Sequence, residues 1–395
     1  MSPPPDSLFV SWPLANLRVL DLSRLYPGPL CSLLLADLGA EVLKVEDPAG
    51  GDPVRWVPPT VNGMAGIFAA LNRDKRSVAL NLKLPAGAEA LRRLARRADV
   101  LLESFRPGVM ERLGLGYKAL ASENPGLIYC ALTGYGQTGP YRDRAGHDLN
   151  YAGLAGVVAL TGPRDKTPAV PGVQVADVGG ALCAALRIVA AACARHRTGQ
   201  GCFLDISMTE SALSFLSLVA GKLAAGFTKA TRGEDELAGG LPCYGVYGTA
   251  DGKAMSLAAL EPKFWQGFCA AVGRPDLATQ GHLRGPEGDR VREEVAAIFR
   301  SRTRDEWAAF FAPLDVCCEP VLEPEEIESH PLFQARQAFL EVNGLRFLRT
   351  PVTPHAKAHL SAPALGAHTR EVLSEAGYSL GEIEKLLAEG AAFAA

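Results

Sequence analysis

The chain has no CxxC pair, and its nine cysteines are scattered singly apart from Cys317 and Cys318. That spacing offers neither a zinc framework nor a disulfide scaffold, so the thiols read as reduced and mostly buried. Neither sign of charge is in excess: 40 Lys and Arg against 43 Asp and Glu leave a net −3. Without a basic surplus there is no sequence-independent attraction to phosphate backbones or anionic membranes, and nucleic acid is not an expected partner. Long apolar runs are absent too. Residues 181–194 are interrupted by Arg187 and followed by Arg195 and His196, short of the ~20 residues that span a bilayer, so no membrane partner is expected. The opening MSPPPDSLFVSWP has neither the basic start nor the apolar stretch of a secretory leader, which gives the cytoplasm as the expected address.

What is present is ordinary globular composition, 48% hydrophobic and 21% charged over 395 residues, enough for two or three domains at ~150 residues each. Residues 17–22 form a β-rich run, a turn follows at Pro27-Gly28-Pro29, an apolar helix runs to about residue 38, and a second strand occupies 41–45. This is a βαβ unit. The pattern recurs as a strand at 77–82, an amphipathic helix at 85–97, and strands at 100–103 and 127–132. It predicts the α/β class, with a large Rossmann-like domain and parallel sheet over residues 1–224, linker helices included. Within it, a long Ala-rich helix after Asp177 reaches about residue 197, closed by Gly199 and Gly201, before a strand at 202–206. Residues 222–240 are polar and glycine-bearing, as in a linker, and 244–258 alternate like a hairpin around Asp251 and Gly252. A smaller α+β domain is therefore expected at 225–315. Residues 316–395 show no core of their own and are expected to return to the large domain. No repeat of 20–50 residues appears.

Gly134-Tyr135-Gly136-Gln137-Thr138-Gly139 fits GxGxxG after a predicted strand, but Pro140 and a charged loop follow. A dinucleotide site needs a helix opening at the third glycine to receive the pyrophosphate, so no nicotinamide or flavin cofactor is expected. Glu46 stands where a ribose-binding acid would, yet Pro27-Gly28-Pro29 replaces the glycine fingerprint. A tight strand-to-helix turn explains those residues better.

Asp177, in VADVGG at 175–180, stands directly before the long apolar helix. Its structural reading is an N-cap. Its functional reading is a base beside free helix amides that stabilise a developing enolate, with two glycines admitting a ligand close to the backbone. His147, in GHDLNY at 146–151, reads either as a surface or capping histidine or as the group that returns a proton where an aspartate removed one. The basic stretch NRDKR at 72–76 and Lys83 read as a solvated turn or as a phosphate contact, with Arg106 a further candidate for an anion.

Together these segments resemble the family III coenzyme-A transferase superfamily, and within it the α-methylacyl-CoA racemases. The resemblance runs over nearly the whole chain: VLDLS at 19–23 with the Pro-Gly-Pro turn, ADLGA at 36–40, KRS at 75–77, FRPGV at 105–109, residues 133–140 and GHDLNY at 146–151. The resemblance implies an interlocked homodimer. It implies that His147 and Asp177 flank the α-carbon of an acyl-CoA, one removing a proton that the other replaces on the opposite face. It also implies that Glu261, in LEPKF at 260–264, orients the histidine across a dimer interface. Leu80, Asn81, Leu82, Lys83, Gly146, Asp148, Leu149, Asn150 and Tyr151 would line the CoA and acyl site, with Arg106 assisting. No metal and no cofactor is implied beyond the CoA of the substrate.

In the transferases of the superfamily the residue matching Asp177 is instead a nucleophile, forming acyl anhydride and aspartyl-CoA intermediates, and the formyl-CoA-type transferases generally lack the histidine. One departure from the racemase pattern is Asp47, where an arginine usually precedes Pro48; either Lys44, Arg73 or Lys75 replaces that contact to the CoA phosphates, or the chain prefers a different acyl-CoA and sits nearer the transferases. The expectation is epimerisation of a 2-methylacyl-CoA. CoA transfer between carboxylic acids is the alternative, and a non-catalytic acyl-CoA-binding protein a third.

Overall fold

A computed structural model describes residues 12–61, 63–227, 229–353 and 358–395, arranged in two compact units. The first comprises the chain up to Ala155, Val173–Ser214 and Glu328–Ala395. The elements that frame its main sheet are β1 (Arg18–Asp21), α1 (Pro27–Asp37), β2 (Glu41–Glu46), β3 (Lys75–Leu80), α2 (Pro85–Ala95), β4 (Val100–Glu103), β5 (Ile128–Thr133), α3 (Asp148–Leu154), α4 (Val175–Thr198), β6 (Cys202–Ser207), α5 (Met208–Ser214), α6 (Thr369–Glu375), α7 (Leu380–Ala388) and β7 (Ala392–Phe393). The strand order is β7-β3-β2-β1-β4-β5-β6. All neighbours are parallel except β7, which lies antiparallel to β3 with Ala392 opposite Leu80. Every residue of β5 is buried, as in a sheet covered by helices on both faces.

Local chemistry sets the strand-to-helix turns. Pro27 stands in the first turn of α1, where its missing N–H costs nothing. A Cβ at Gly28 would run into Ser23, so only glycine lets the helix start this close to β1. From β1 the chain moves to β2 and β3 on one side, then crosses to β4 on the other. The loops after β1 and β4 therefore diverge at the carboxyl edge, the switch point where open α/β sheets bind ligands. One face of the sheet packs Leu20, Leu43, Val78, Leu101 and Tyr129 against Leu91 and Leu94 of α2, Val372 and Leu373 of α6, and Ile383 and Leu386 of α7.

Helix α4 is 24 residues long, well beyond the apolar run visible at 181–194, and by length and composition meets the minimum for crossing a membrane. It packs against α1, α5, β5 and β6 and buries Ala176, Gly179, Gly180, Ala181, Ala184 and Ile188. Small residues on that face bring it close to the sheet, leaving Leu182 and Leu186 exposed on the other.

The second unit comprises Gly156–Gly172 and Phe215–Ile327. Its antiparallel sheet runs Cys318–Pro320, Ala254–Ala258, Tyr244–Gly248, over an aromatic core of Trp265, Phe268, Phe299, Trp307 and Phe311. These bounds correct the expected 225–315. Cys318–Pro320 is hydrogen-bonded into the sheet, which carries the unit past residue 315. Gly156–Gly172 joins it because the Arg232 guanidinium donates to the carbonyls of Ala159 and Pro163, both at 2.8 Å, and of Lys166. The stretch expected as a linker is pinned, with Lys222 Nζ 3.0 Å from both Asp235 and Glu236.

Candidate active site

At the carboxyl edge of the first unit, the loops after β1 and β4 are joined: the Arg24 amide donates to Ser104 Oγ at 3.1 Å, and the Arg24 guanidinium lies 4.9 Å from the Phe105 ring centroid. Arg106 follows, exposed. After β5 come turns rather than a helix. The first glycine of the GxGxxG segment is needed because a Cβ at Gly134 would strike the Tyr151 ring. Tyr151 is buried edge-on against Tyr135, centroids 5.0 Å apart, and its hydroxyl donates to the Gly146 carbonyl. The motif is thus a packing feature for a tyrosine on α3.

His147 caps α3 with its side chain exposed, and its amide donates to Asn150 Oδ1 at 3.0 Å. Asp148 is the next residue. Its Oδ1 accepts the amides of Ala176 at 2.7 Å and of Asp177 at 3.0 Å. This corrects the sequence reading of Asp177 twice. Helix α4 begins at Val175 after Gln174, so Asp177 lies within the first turn and is not the cap. The helix-start amides expected to hold an enolate are occupied, two by Asp148 and that of Val178 by the Gln174 carbonyl.

Asp177 is half-buried. Burial first, then the neighbouring Asp148 charge, push its carboxyl up to about 6, with His147 offsetting part of the rise. Burial pushes Tyr151 up to about 12, reinforced by Tyr135 and Asp177 and opposed by Arg106. Tyr26, on the turn before α1, is raised by burial, Asp177 and Asp148. His147, Asp148, Tyr151, Asp177, Tyr26 and Arg106 thus form one electrostatic neighbourhood. A carboxyl that changes protonation near pH 6 beside an exposed imidazole is suited to moving protons on and off a bound molecule.

The remaining expected site residues differ in exposure and surroundings. Leu80 is a core residue, 1% exposed and paired with Ala392, so its side chain has no surface to offer a ligand. Asn81 donates its amide to the Ala391 carbonyl and accepts the Lys83 amide at 3.2 Å, forming a turn in which Leu82 is half-buried and Lys83 exposed. Leu149 and Asn150 are exposed on α3. Glu261 belongs to the second unit, exposed at the start of helix Pro262–Ala271.

Three of the cations offered as phosphate contacts are internal. Lys44, Arg73 and Lys75 are 0%, 1% and 4% exposed. Lys44 pairs with Asp52 at 2.9 Å, Lys75 with Asp21 at 3.3 Å, and Arg73 grips Asp37 through two bonds of 2.5 and 2.8 Å. Breaking such a buried pair costs ~3–5 kcal/mol, so these charges hold the fold and are not lent to a phosphate. Asp47 accepts the Ala49 amide at 2.9 Å in a local turn. Asp37, Asp74 and His359 cluster closely enough to hold a metal ion, but the Arg73 guanidinium already lies 2.8 Å from Asp74 and 3.1 Å from His359, a cation where the ion would sit.

Sequence reasoning passed over Tyr26 and the Arg24–Ser104 link. Their only signal was position, on the loops following the first and fourth strands, where the switch-point rule places ligands.

The sequence profile described as CoA-transferase family III matches residues 14–369. The human α-methylacyl-CoA racemase is 37% identical over 382 residues, covering 94% of this chain and 96% of the human protein. The mouse succinyl-CoA:glutarate CoA-transferase is 34% identical over 393 residues, covering 96% of this chain and 90% of that protein. Among solved structures, a CAIB/BAIF family protein from Brucella suis superposes with a TM-score of 0.81 at 31% identity, covering 92% of this chain and 99% of that one.

Proposed function

The chain belongs to CoA-transferase family III, and from that premise we propose that it epimerises a 2-methylacyl-CoA at the carbon α to the thioester. The observation that carries this reading is the pairing of an exposed imidazole at the start of α3 with a half-buried carboxyl held near pH 6. A thioester acidifies its α-proton. Asp177 takes that proton: the C–H bond breaks, its electron pair passes into an enolate, and the negative charge rests on the thioester oxygen. His147, entering protonated, returns a proton to the opposite face, and the enolate collapses to the thioester of inverted configuration. The opposite enantiomer uses the same groups in reversed roles. Arg106 and Lys83, exposed on this edge, are the groups proposed to meet the CoA phosphates, and CoA enters only as part of the substrate.

The test is NMR in heavy water over a small panel of acyl-CoA esters. Deuterium uptake at the α-carbon with loss of configuration is expected for 2-methylacyl-CoA. If there is neither exchange nor epimerisation while a free acid accepts CoA from a donor thioester, the second reading replaces the first. That reading is CoA transfer through an aspartyl-CoA intermediate at Asp177, and the 34% identity to a transferase favours it. Silence in both assays would leave an acyl-CoA-binding protein.

A second copy of the chain is the proposed cover for α4. Leu182 and Leu186, four residues apart and so on one helical face, are 50% and 70% exposed, and Leu213 on α5 is 53% exposed; large apolar side chains exposed together on one helical face call for a partner. Glu261 of that copy would then orient His147. Sedimentation equilibrium is expected to give twice the 41.8 kDa chain mass, and a monomer at micromolar concentration would remove Glu261 from the mechanism.

A further inference from the structure

We propose that Asp148 is a positioning residue that ties the helix bearing Asp177 to the helix opened by His147 and cancels the positive end of α4 that Asp177 would otherwise enjoy. The proposal rests on the reading of His147 and Asp177 as the reacting pair.

The first turn of a helix presents amides without intrahelical partners and carries roughly half a positive charge. A carboxylate in that turn is ordinarily stabilised in its ionised form, which makes it a poor base. Asp177 occupies that turn in α4, yet another carboxylate has taken its place at the amides. Asp148 Oδ1 lies 2.7 Å from the Ala176 nitrogen and 3.0 Å from the nitrogen of Asp177 itself. Asp177 thereby loses the donors and gains a like charge as neighbour. The groups facing Asp177 are Asp148, His147 and Tyr151 from α3 and Tyr26 from the turn before α1. Burial and Asp148 raise its carboxyl, and His147 opposes them.

The same contact sets geometry. His147 and Asp148 are adjacent in the chain, so a bond from Asp148 to the Asp177 amide leaves little slack between the two proposed bases. A reaction that removes a proton from one face of a carbon and returns it to the other needs a fixed separation, and a misplacement of about 1 Å can cost ~10²-fold.

Asp148→Asn keeps an oxygen for the two amides and removes the charge. In that variant the Asp177 carboxyl carbon, followed by ¹³C NMR and assigned by its absence in Asp177→Asn, is expected to titrate below its present value of about 6, toward the usual carboxylate range. The acid limb of kcat should move down with it, the plateau kcat should fall roughly 3- to 10-fold through the weaker base, and KM should barely change. Asp148→Ala, which also loses the tie, is expected to lose ~10²-fold in kcat; should it fail to fold, the asparagine variant still carries the test. An Asp177 titration unmoved in Asp148→Asn, or a change confined to KM, overturns the proposal and leaves Asp148 as a lining residue. Because the titration needs no turnover, a shifted Asp177 in a protein that exchanges no α-proton would sustain the role of Asp148 while removing epimerisation.

Discussion

Asp177→Asn is expected to lower kcat by about 10³-fold, with thermal stability unchanged or raised and acyl-CoA binding retained. The substitution is nearly isosteric, and the Asp177 main chain still donates its amide to Asp148. It also removes one of two neighbouring carboxylates, so the fold loses a repulsion and the reaction loses its base. The wild type should show the same dependence in its pH profile. A base works only when ionised, and the Asp177 carboxyl is pushed up to about 6. For the enantiomer whose α-hydrogen faces Asp177, activity should therefore fall as pH drops through that value, by about tenfold per pH unit well below it. Steady-state rates between pH 4.5 and 8 check this. An acid limb near pH 4, or an asparagine variant with more than a tenth of wild-type activity, would mean that Asp177 is not the base.

Loss of Asp177 is damaging whether the residue is a base or a nucleophile, so the second large effect is the one that separates reactions. His147→Ala is expected to abolish epimerisation, a loss of ~10²–10⁴-fold for a missing acid–base group. It should not abolish α-proton exchange. With Asp177 alone, the enantiomer whose α-hydrogen faces the carboxylate should still take up deuterium, with its configuration kept. Exchange without inversion for one enantiomer, and neither for the other, is the expected signature. The side chain is exposed, so its removal opens no core cavity and the variant should fold. If His147→Ala instead retains most of its activity in moving CoA between acids, the histidine is a bystander and the aspartate a nucleophile.

The fold was legible where local chemistry decides it. Buried strands such as Ile128–Thr133 announce themselves as apolar runs, the Pro-Gly-Pro turn marks the start of α1, and Asp251-Gly252 marks a hairpin. It was illegible where the partner lies far away in sequence. Asp177 followed by an apolar run resembles a cap, yet the group capping those amides is Asp148, 28 and 29 positions from the residues it holds. The basic stretch at 72–76 resembles a solvated turn, yet Arg73 closes on Asp37, 36 positions earlier, and Lys75 on Asp21, 54 positions earlier. Charge composition reports how many cations a segment has and cannot report which are already neutralised inside. Gly156–Gly172 likewise joins the second unit through partners distant in sequence, Arg232 gathering carbonyls across about seventy positions and Arg164 pairing with Asp289 at 2.5 Å. Of the candidate site, the GHDLNY segment and Asp177 stand out in the sequence because the proposed chemistry would need those residue types. The occupation of the α4 amides does not, because it is a property of a distance.

The two-residue strand β7 bears on how the molecule is made. The first unit is assembled from three separate stretches, with the second unit inserted between them. During synthesis β3 emerges long before Ala392 and Phe393, which pair with it. Until then the outermost parallel strand of the growing sheet presents unpaired amides and carbonyls, a template for another chain. The vulnerable interval therefore runs from the emergence of β3 to that of Ala392 and Phe393, and a chain stalled or cut before them would carry an open sheet edge for as long as it survived.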